Sequence, residues 1–227
     1  MNDPRYKDLE KLIDEYEVDT QNICSTKLIL QNYPQVFTLS VASSFENNIK
    51  LDLDSFLMNP LHPLTTYPGI NQMVNSNNPT PVPERMYKKF YTDPALTAEP
   101  FYQLFNGAPF KTSVQTHFAN RRAQELTSYQ SRVAALETLI NNSSEDEEKY
   151  ANAYVAADDR AVRLQQLTFD VAEQAFLNIK KRRNQVAHDF IHGLTDSFVD
   201  LRTFYFDAII YILALSDALA DLTTATT

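Results

Sequence analysis

Apolar side chains recur along most of this chain at intervals of three and four residues, the spacing of one face of an α-helix. Residues 3–31 alternate in this way with acids and lysines, and they predict an amphipathic first helix. Pro34 fits the first turn of a second helix, which we expect to end near Met58. The predicted buried face of the second helix is Phe37, Val41, Phe45, Ile49, Leu53, Phe56 and Leu57.

The segment 59–110 departs from this pattern, because it holds nine of the eleven prolines. A structureless loop of this length is unusual inside a compact domain, so short helices are predicted at 84–91 and 95–105. Tyrosines and phenylalanines give the segment enough apolar area to pack down. Those beside Lys88 and Lys89 also suit stacking on RNA bases, and the sequence leaves both roles open.

From Lys111 onward the chain has no proline and a single glycine, Gly193. This composition is typical of long helices. The spacing predicts one helix over 112–141 and another that begins at Glu145 and continues to about residue 190. Gly193 is well placed to end this long helix in a left-handed cap.

The last predicted helix begins at Thr195 or Asp196. It is apolar on more than one side, which places it at the centre of a bundle or at a dimer interface. Asp207 lies in its most apolar run and needs a partner, with Arg202 and Arg183 as candidates. That run, 204–215, is too short to span a bilayer, so no membrane contact is expected. The predicted seam of the helix is Phe198, Leu201, Tyr205, Ala208, Ile212, Leu215 and Leu219.

The whole pattern predicts an all-α fold, a helical bundle of four or five main helices with a Pro-rich insertion after the second helix. Residues 1–227 are expected to form one domain that contains the insertion 59–110. The net charge of −9 excludes a protein that coats nucleic acid, although a local basic patch can still hold a phosphate chain. The lone Cys24 excludes an internal disulfide, and the acidic amino terminus lacks a secretory signal, so a cytoplasmic location is expected.

The side chains with most chemical potential cluster in residues 180–193. They are Lys180, Lys181, Arg182, Arg183, Asn184, His188 and His192. Asn184 and His188 lie four residues apart and share a helix face. Arg183 and His188 lie about 140° apart around the helix axis. A single straight helix therefore does not aim both at one small ligand, and a second copy could supply the missing group across a two-fold axis.

An arginine and a histidine suit catalysis on a phosphodiester. The imidazole of His188 titrates near neutrality and can accept or donate a proton. The guanidinium of Arg183 can hold phosphate oxygens as negative charge develops, so neither a metal nor another cofactor is predicted. The same residue types near a helix end also act as favourable charges against the helix dipole, and spacing alone does not separate the two roles.

The sequence Arg183-Asn184-x-x-Ala187-His188, late in a long helix and followed by an apolar helix, resembles the signature of the HEPN family. The segment 41–46, which ends in Phe45-Glu46, is similar to an early helix in the RiboL-PSP type of HEPN proteins. The regions of resemblance cover roughly 35–58 and 165–222.

This resemblance implies a dimeric, metal-independent endoribonuclease, in which the 2′-hydroxyl of RNA attacks the adjacent phosphodiester at a cleft between two motifs. Arg183 would clamp the phosphate, His188 would transfer protons and Asn184 would orient the reacting groups. Many toxin-type members carry a tyrosine two places after the histidine, which a nucleotidyltransferase modifies. Phe190 occupies that place here and has no hydroxyl.

Neighbouring residues have candidate roles as well. Lys180, Lys181 and Arg182 are candidates to bind RNA. Glu46 and His192 are candidates to support the catalytic groups, although Glu46 also fits a solvated position beside the helix seam. More distant arginines either extend a track for the phosphate backbone or pair with the abundant acids. They are Arg121, Arg122, Arg132, Arg160 and Arg163.

The resemblance also implies a biological setting, as a toxin of a toxin–antitoxin pair or a phage-defence effector. The expected partners are an RNA substrate and a second copy of the chain, with an antitoxin or sensor protein as a further candidate. Two other functions remain open from the sequence. One is a non-catalytic HEPN-like module that binds a partner protein or a nucleotide; the other is a structural helical adaptor that docks through the aromatic insertion.

Overall fold

A computed structural model describes residues 3–22, 27–59, 64, 67–92, 108–142, 147–190 and 194–224. These residues form eight α-helices and no strand, so the predicted all-α class is confirmed. The helices are α1 (Lys7–Asn22), α2 (Lys27–Leu57), α3 (Pro68–Val74), α4 (Val82–Thr92), α5 (Ala108–Asn142), α6 (Glu147–Gln166), α7 (Phe169–His188) and α8 (Phe198–Thr224). A short 3₁₀ turn, Pro4–Tyr6, precedes α1.

Helix α8 is the centre of the bundle, and it packs against α2, α5 and α7. All the seam residues predicted for it are buried, as is the predicted face of α2 from Phe37 to Phe56. Phe45 of α2 stacks on Tyr205 of α8, with ring centroids 6.0 Å apart. The central helix thus provides a rigid support for α7, which carries the basic motif.

Among the described helices, α8 alone is long and apolar enough to cross a bilayer. Length and composition do not separate a membrane span from the core helix of a bundle. Here 72% of the most apolar stretch is buried by other helices of the same chain.

The first two helices begin and end at residues that differ from the prediction. The helix predicted over 3–31 ends at Asn22, and α2 has already begun at Lys27. Pro34 therefore lies inside α2, where its missing N–H removes one helical hydrogen bond. The hydroxyl of Thr38 donates to the Pro34 carbonyl at 2.8 Å, a side-chain bond of the kind often found where helices bend.

The single long helix predicted from Glu145 to about residue 190 is wrong, because the chain breaks it into α6 and α7 at Leu167 and Thr168. Thr168 has extended backbone angles, and its hydroxyl accepts a hydrogen bond from the Val171 N–H at 3.3 Å. Threonine is a favourable N-cap, and Asp170 adds a negative charge to the first turn of α7. These two residues were the local signal for the break.

The end of α7 and the start of α8 also differ from the prediction. Helix α7 ends at His188, and Asp189 takes an extended conformation, so the helix stops five residues before Gly193. Gly193 itself lies outside the described residues. Ser197, rather than Thr195 or Asp196, caps α8. Its hydroxyl and backbone N–H both bond to the Asp200 carboxylate, and the Asp200 N–H donates back to the hydroxyl.

The described part of 59–110 contains α3, α4 and the first three residues of α5. Helix α4 confirms the one predicted at 84–91, whereas α3 was not predicted and the segment 95–105 lies outside the described residues. Tyr87 and Phe90 are fully buried, and Lys88 pairs with Glu84 at 3.1 Å. These two aromatic rings pack in the core, so base stacking is wrong for them.

Candidate active site

The last turns of α7 are fixed to the bundle by one apolar and two ionic contacts. Val186 is 1% exposed and anchors the helix end in the core. The Lys180 Nζ lies 3.1 Å from a carboxylate oxygen of Glu46 on α2. An Nη2 of Arg182 lies 2.6 Å from the Asp196 carboxylate, just before α8. The orientation of this helix end is therefore set from two sides.

Lys180 is a buried cation inside a small polar network. It is 5% exposed, and its Nζ lies 4.7 Å from the centroid of the Tyr87 ring on α4. Burial lowers the pKa of Lys180, although the charge of Glu46 opposes this effect. Glu46 also accepts a hydrogen bond from Lys50 at 2.7 Å. Burial opposes ionisation of Glu46, but Lys50 and Lys180 outweigh it and hold the pKa of this carboxyl below its ordinary 4.5.

Arg182 joins the motif helix to the central helix. Its guanidinium carbon lies 4.5 Å from the centroid of the Phe204 ring on α8, and its Nη2 lies 2.6 Å from the Asp196 carboxylate. A cation held by both a carboxylate and an aromatic face is strongly oriented. Arg182 therefore aligns α7 with the first turns of α8.

Arg183, Asn184 and His188 lie on the outer side of the same turns. Asn184 and His188 are exposed, and Arg183 is half-exposed. An Nη1 of Arg183 donates a hydrogen bond to the Asn184 Oδ1 at 3.2 Å. Within the described ranges, no carboxylate pairs with Arg183 or His188. These groups are thus accessible to a ligand, in contrast to Lys180 and Arg182.

The exposed group has the elements of a site for a phosphodiester. Lys181 is also exposed, and with Asn184 and His188 it follows the three- and four-residue spacing of one helix face. Arg183 flanks this face and is oriented by Asn184. An imidazole and a guanidinium at the same helix end can supply proton transfer and charge stabilisation. The two side chains leave the helix in different directions, about 140° apart around its axis.

The other predicted site residues have different positions. Lys180 and Arg182, predicted to bind RNA, are committed to Glu46 and Asp196, which leaves Lys181 as the exposed member of the three. Glu46 bonds to Lys50 and Lys180 rather than to Arg183, Asn184 or His188. His192 lies outside the described residues. Within the described ranges, no three His, Cys, Asp or Glu side chains are grouped so as to hold a metal ion.

The partners proposed for Asp207 are wrong. This carboxylate is 1% exposed and binds Arg160 and Arg163 of α6, with Oδ1 at 3.2 Å from an Arg160 Nη1 and 2.9 Å from the Arg163 Nε. Neither Arg202 nor Arg183 is its partner in the described structure. The helix break at Thr168 allows α6 to pack against α5, and the long side chains of Arg160 and Arg163 reach Asp207 of α8 from there.

The five more distant arginines do not form a continuous track along the described surface. Besides Arg160 and Arg163, Arg121 forms a two-pronged ion pair with Asp217, and Arg122 donates to the Leu167 carbonyl at 2.8 Å. The alternative of pairing with acids therefore holds for Arg121, Arg160 and Arg163, whereas Arg122 binds a backbone carbonyl. Arg132 is exposed and lines a cavity between α1, α5, α6 and α8.

We expect Glu46→Gln to lower the free energy of unfolding by about 1–3 kcal/mol at pH 7, because Lys180 stays buried without an ionised partner. The folded-state pKa of Glu46 is depressed, so its contribution is present above pH 4.5 and is lost as the pH falls through the folded pKa. Denaturant unfolding of both proteins between pH 3 and 7 measures this difference.

The matched control for this experiment is Glu84→Gln. Glu84 also pairs with a lysine, Lys88, but the side chains of Glu84 and Lys88 are 38% and 51% exposed, and we expect a loss of about 0.5 kcal/mol or less. Equal losses for the two variants, or a Glu46→Gln effect that does not shrink below pH 4.5, would contradict an ionised Glu46–Lys180 pair as the anchor of α7.

Comparisons of the chain with protein-family models, with curated proteins and with solved structures find no match.

Proposed function

We propose that this protein is a metal-independent endoribonuclease of the HEPN type, and that it acts as a homodimer. The observation that carries the proposal is a difference between the cations at the end of α7. Lys180 and Arg182 are used to hold the helix, whereas Arg183 and Lys181 face outward beside Asn184 and His188. Arg183 and His188 pair with no carboxylate of the described residues, so both side chains are accessible to a phosphodiester.

The chemistry follows from the two side chains. A neutral imidazole of His188 accepts the proton of the RNA 2′-hydroxyl as its oxygen attacks the adjacent phosphorus. The bond from phosphorus to the 5′-oxygen then breaks, and an imidazolium protonates the leaving oxygen. The products are a 2′,3′-cyclic phosphate and a 5′-hydroxyl, with no water or metal consumed. Arg183 stabilises the charge that builds on the phosphate oxygens.

A second copy of the chain completes the site. Arg183 and His188 point about 140° apart around one helix, so one α7 cannot direct both at the same phosphate without bending the arginine stem back. Two copies related by a two-fold axis would place the arginine of one protomer beside the histidine of its partner. The exposed Phe190, directly after the helix end, offers apolar area at this point.

The acidic body of the protein limits how RNA is held. A net charge of −9 disfavours nonspecific coating, so contact should be brief and centred on the Lys181–Arg183 patch. Regulated cleavage of this kind suits a toxin or a phage-defence effector in the cytoplasm, and an antitoxin or sensor protein could restrain it by covering the motif.

The test is incubation of the purified full chain with total RNA in excess EDTA, followed by analysis of the new RNA ends. We expect cleavage with 2′,3′-cyclic phosphate and 5′-hydroxyl ends, and a loss of about 10²-fold or more in rate for Arg183→Ala. Arg121→Ala, an arginine paired with Asp217 elsewhere on the surface, should cleave at the wild-type rate. Cleavage that needs a metal, or that persists in Arg183→Ala, would overturn the proposal. The absence of cleavage would favour a non-catalytic binding module.

A further inference from the structure

Phe190 differs from every other aromatic residue whose side chain the structure describes, because its ring is exposed to solvent. It is 40% exposed, whereas the other described phenylalanines and tyrosines are buried or half-buried. Within the described ranges, no second aromatic ring contacts it. Since transfer of an aromatic ring out of water is favourable, a ring left outside the core is available to a ligand.

The ring of Phe190 lies close to the proposed catalytic histidine. Helix α7 ends at His188, and Asp189 has extended backbone angles, so the chain leaves the helix just before Phe190. Two residues span at most about 7 Å, which limits the distance between the Cα atoms of His188 and Phe190. The base and the phosphate of one nucleotide are separated by a comparable distance. A single nucleotide of RNA can therefore contact the ring and the imidazole together.

The neighbours of Phe190 indicate which kind of ligand fits the ring. Lys181, Asn184 and His188 are exposed on the last turns of α7. Phe190 is the only large apolar side chain exposed in the stretch 181–190. The centre of a protein interface is depleted of charged side chains, whereas sites for single-stranded nucleic acid combine aromatic rings with cations. The surroundings of Phe190 therefore favour a nucleobase over a protein partner.

The charges near the ring include an acid, Asp189, as well as the cations Lys181 and Arg183. Stacking of a base on an aromatic ring uses the π-faces of both groups and needs no excess of positive charge. The acid therefore does not oppose this contact. The ring adds an interaction with the base, which is separate from the interactions of Arg183 and His188 with the phosphate.

We propose that Phe190 stacks on an unpaired base beside the phosphate that is cleaved, and that the substrate of this site is single-stranded RNA. A base inside an A-form duplex is stacked on both sides and does not present its face to a side chain. This inference rests on the proposed ribonuclease function. The contact is measured with RNA that cannot be cleaved, so its failure is distinguishable from a failure of catalysis.

Tryptophan fluorescence of a Phe190→Trp variant tests the contact, because the chain contains no other tryptophan. The probe is a short oligoribonucleotide in which every ribose carries a 2′-O-methyl group, so the attacking hydroxyl is absent. We expect saturable quenching of the indole emission by the single-stranded probe and no quenching by the same sequence in a duplex. An oligomer of equal length without bases should also leave the emission unchanged, since it keeps the phosphates but has no rings.

Val155→Trp is the control for this measurement. Val155 is 56% exposed on α6, and an indole there should not be quenched by the probe. The affinity of the wild-type chain and of three further variants is measured by anisotropy of labelled probe. Phe190→Ala and Phe190→Leu should each weaken binding about 10-fold, because leucine keeps the apolar volume but has no π-face. Phe190→Tyr should bind as the wild type does.

Three results would overturn the stacking contact. They are the absence of quenching, equal quenching by the oligomer without bases, and wild-type affinity in Phe190→Leu. Gel filtration provides a fourth test, because loss of a dimer in Phe190→Ala would assign the ring to a protein interface instead. Quenching by single-stranded probe in a protein that does not cleave unmodified RNA would refute the ribonuclease and leave Phe190 as an RNA-binding residue. Circular dichroism of each variant establishes that the helices are retained.

Discussion

Substitution of His188 by alanine is expected to lower the rate of RNA cleavage by about 10²–10⁴-fold, because the reaction loses its proton acceptor and donor. His188 is exposed at the end of α7, so its removal leaves no cavity and no buried group without a partner. The free energy of unfolding should therefore stay within about 0.5 kcal/mol of the wild type. Initial rates on a defined RNA and denaturant unfolding measure the two quantities.

Gln185→Ala is the matched control, since Gln185 is an equally exposed polar residue one turn before His188. It should retain cleavage. If His188→Ala and Gln185→Ala cleave at the same rate, His188 is not the catalytic group. A fall in cleavage that accompanies a large loss of stability would assign His188 a structural role instead.

Mixing two inactive variants separates a site shared between protomers from one within a protomer. In a dimer formed from Arg183→Ala and His188→Ala chains, one shared site keeps both an intact arginine and an intact histidine. An equal mixture, re-equilibrated through dissociation, should regain about a quarter of the wild-type activity. A site contained in one chain would regain none, and that outcome would remove the dimer from the mechanism.

Asp207→Ala is expected to lower the free energy of unfolding by about 3–5 kcal/mol, the largest effect on stability that we predict. The carboxylate is 1% exposed, and its loss leaves the Arg160 guanidinium, 7% exposed, without its carboxylate partner. Arg163 can turn toward water because its side chain is 45% exposed, so most of the loss comes from Arg160. Urea unfolding at neutral pH measures the change.

Asp217→Ala is the control on the same helix. Asp217 also forms an ion pair with an arginine, at 2.6 Å from the Arg121 Nε. The side chains of Arg121 and Asp217 are 33% and 27% exposed, so this pair is much less buried than Asp207. We expect a loss of about 1 kcal/mol or less for it. Similar losses for the two variants would mean that burial does not determine the contribution of these pairs.

The sequence predicted those features that depend on neighbours along the chain. The seam of α8 and the face of α2 follow from three- and four-residue spacing over many turns, and burial confirms both. The break at Thr168 was missed because the apolar spacing continues across it, from Leu164 and Leu167 to Val171. A single N-cap residue is a weak signal against a long periodic pattern, although it decides where the backbone turns.

Contacts between distant residues could not be derived in the same way. Lys180 and Glu46 are 134 residues apart, and Asp207 lies 44 and 47 residues from its two arginines. Any of the chain's 20 cations could have paired with a given acid, and helix packing decides among them. The motif at Arg183 and His188 was visible because it is local. The division of its cations into anchoring and exposed ones required the fold.

Phe204 and Phe206 lie two residues apart on α8, and each holds a different arginine. Phe204 contacts Arg182 beside the motif, and Phe206 contacts Arg160 at the base of the cavity. One turn of α8 thus contacts a cation of α7 and a cation of α6. If RNA binds at α7 and a second ligand displaces α6, thermodynamic linkage makes the effect of each ligand on the other reciprocal.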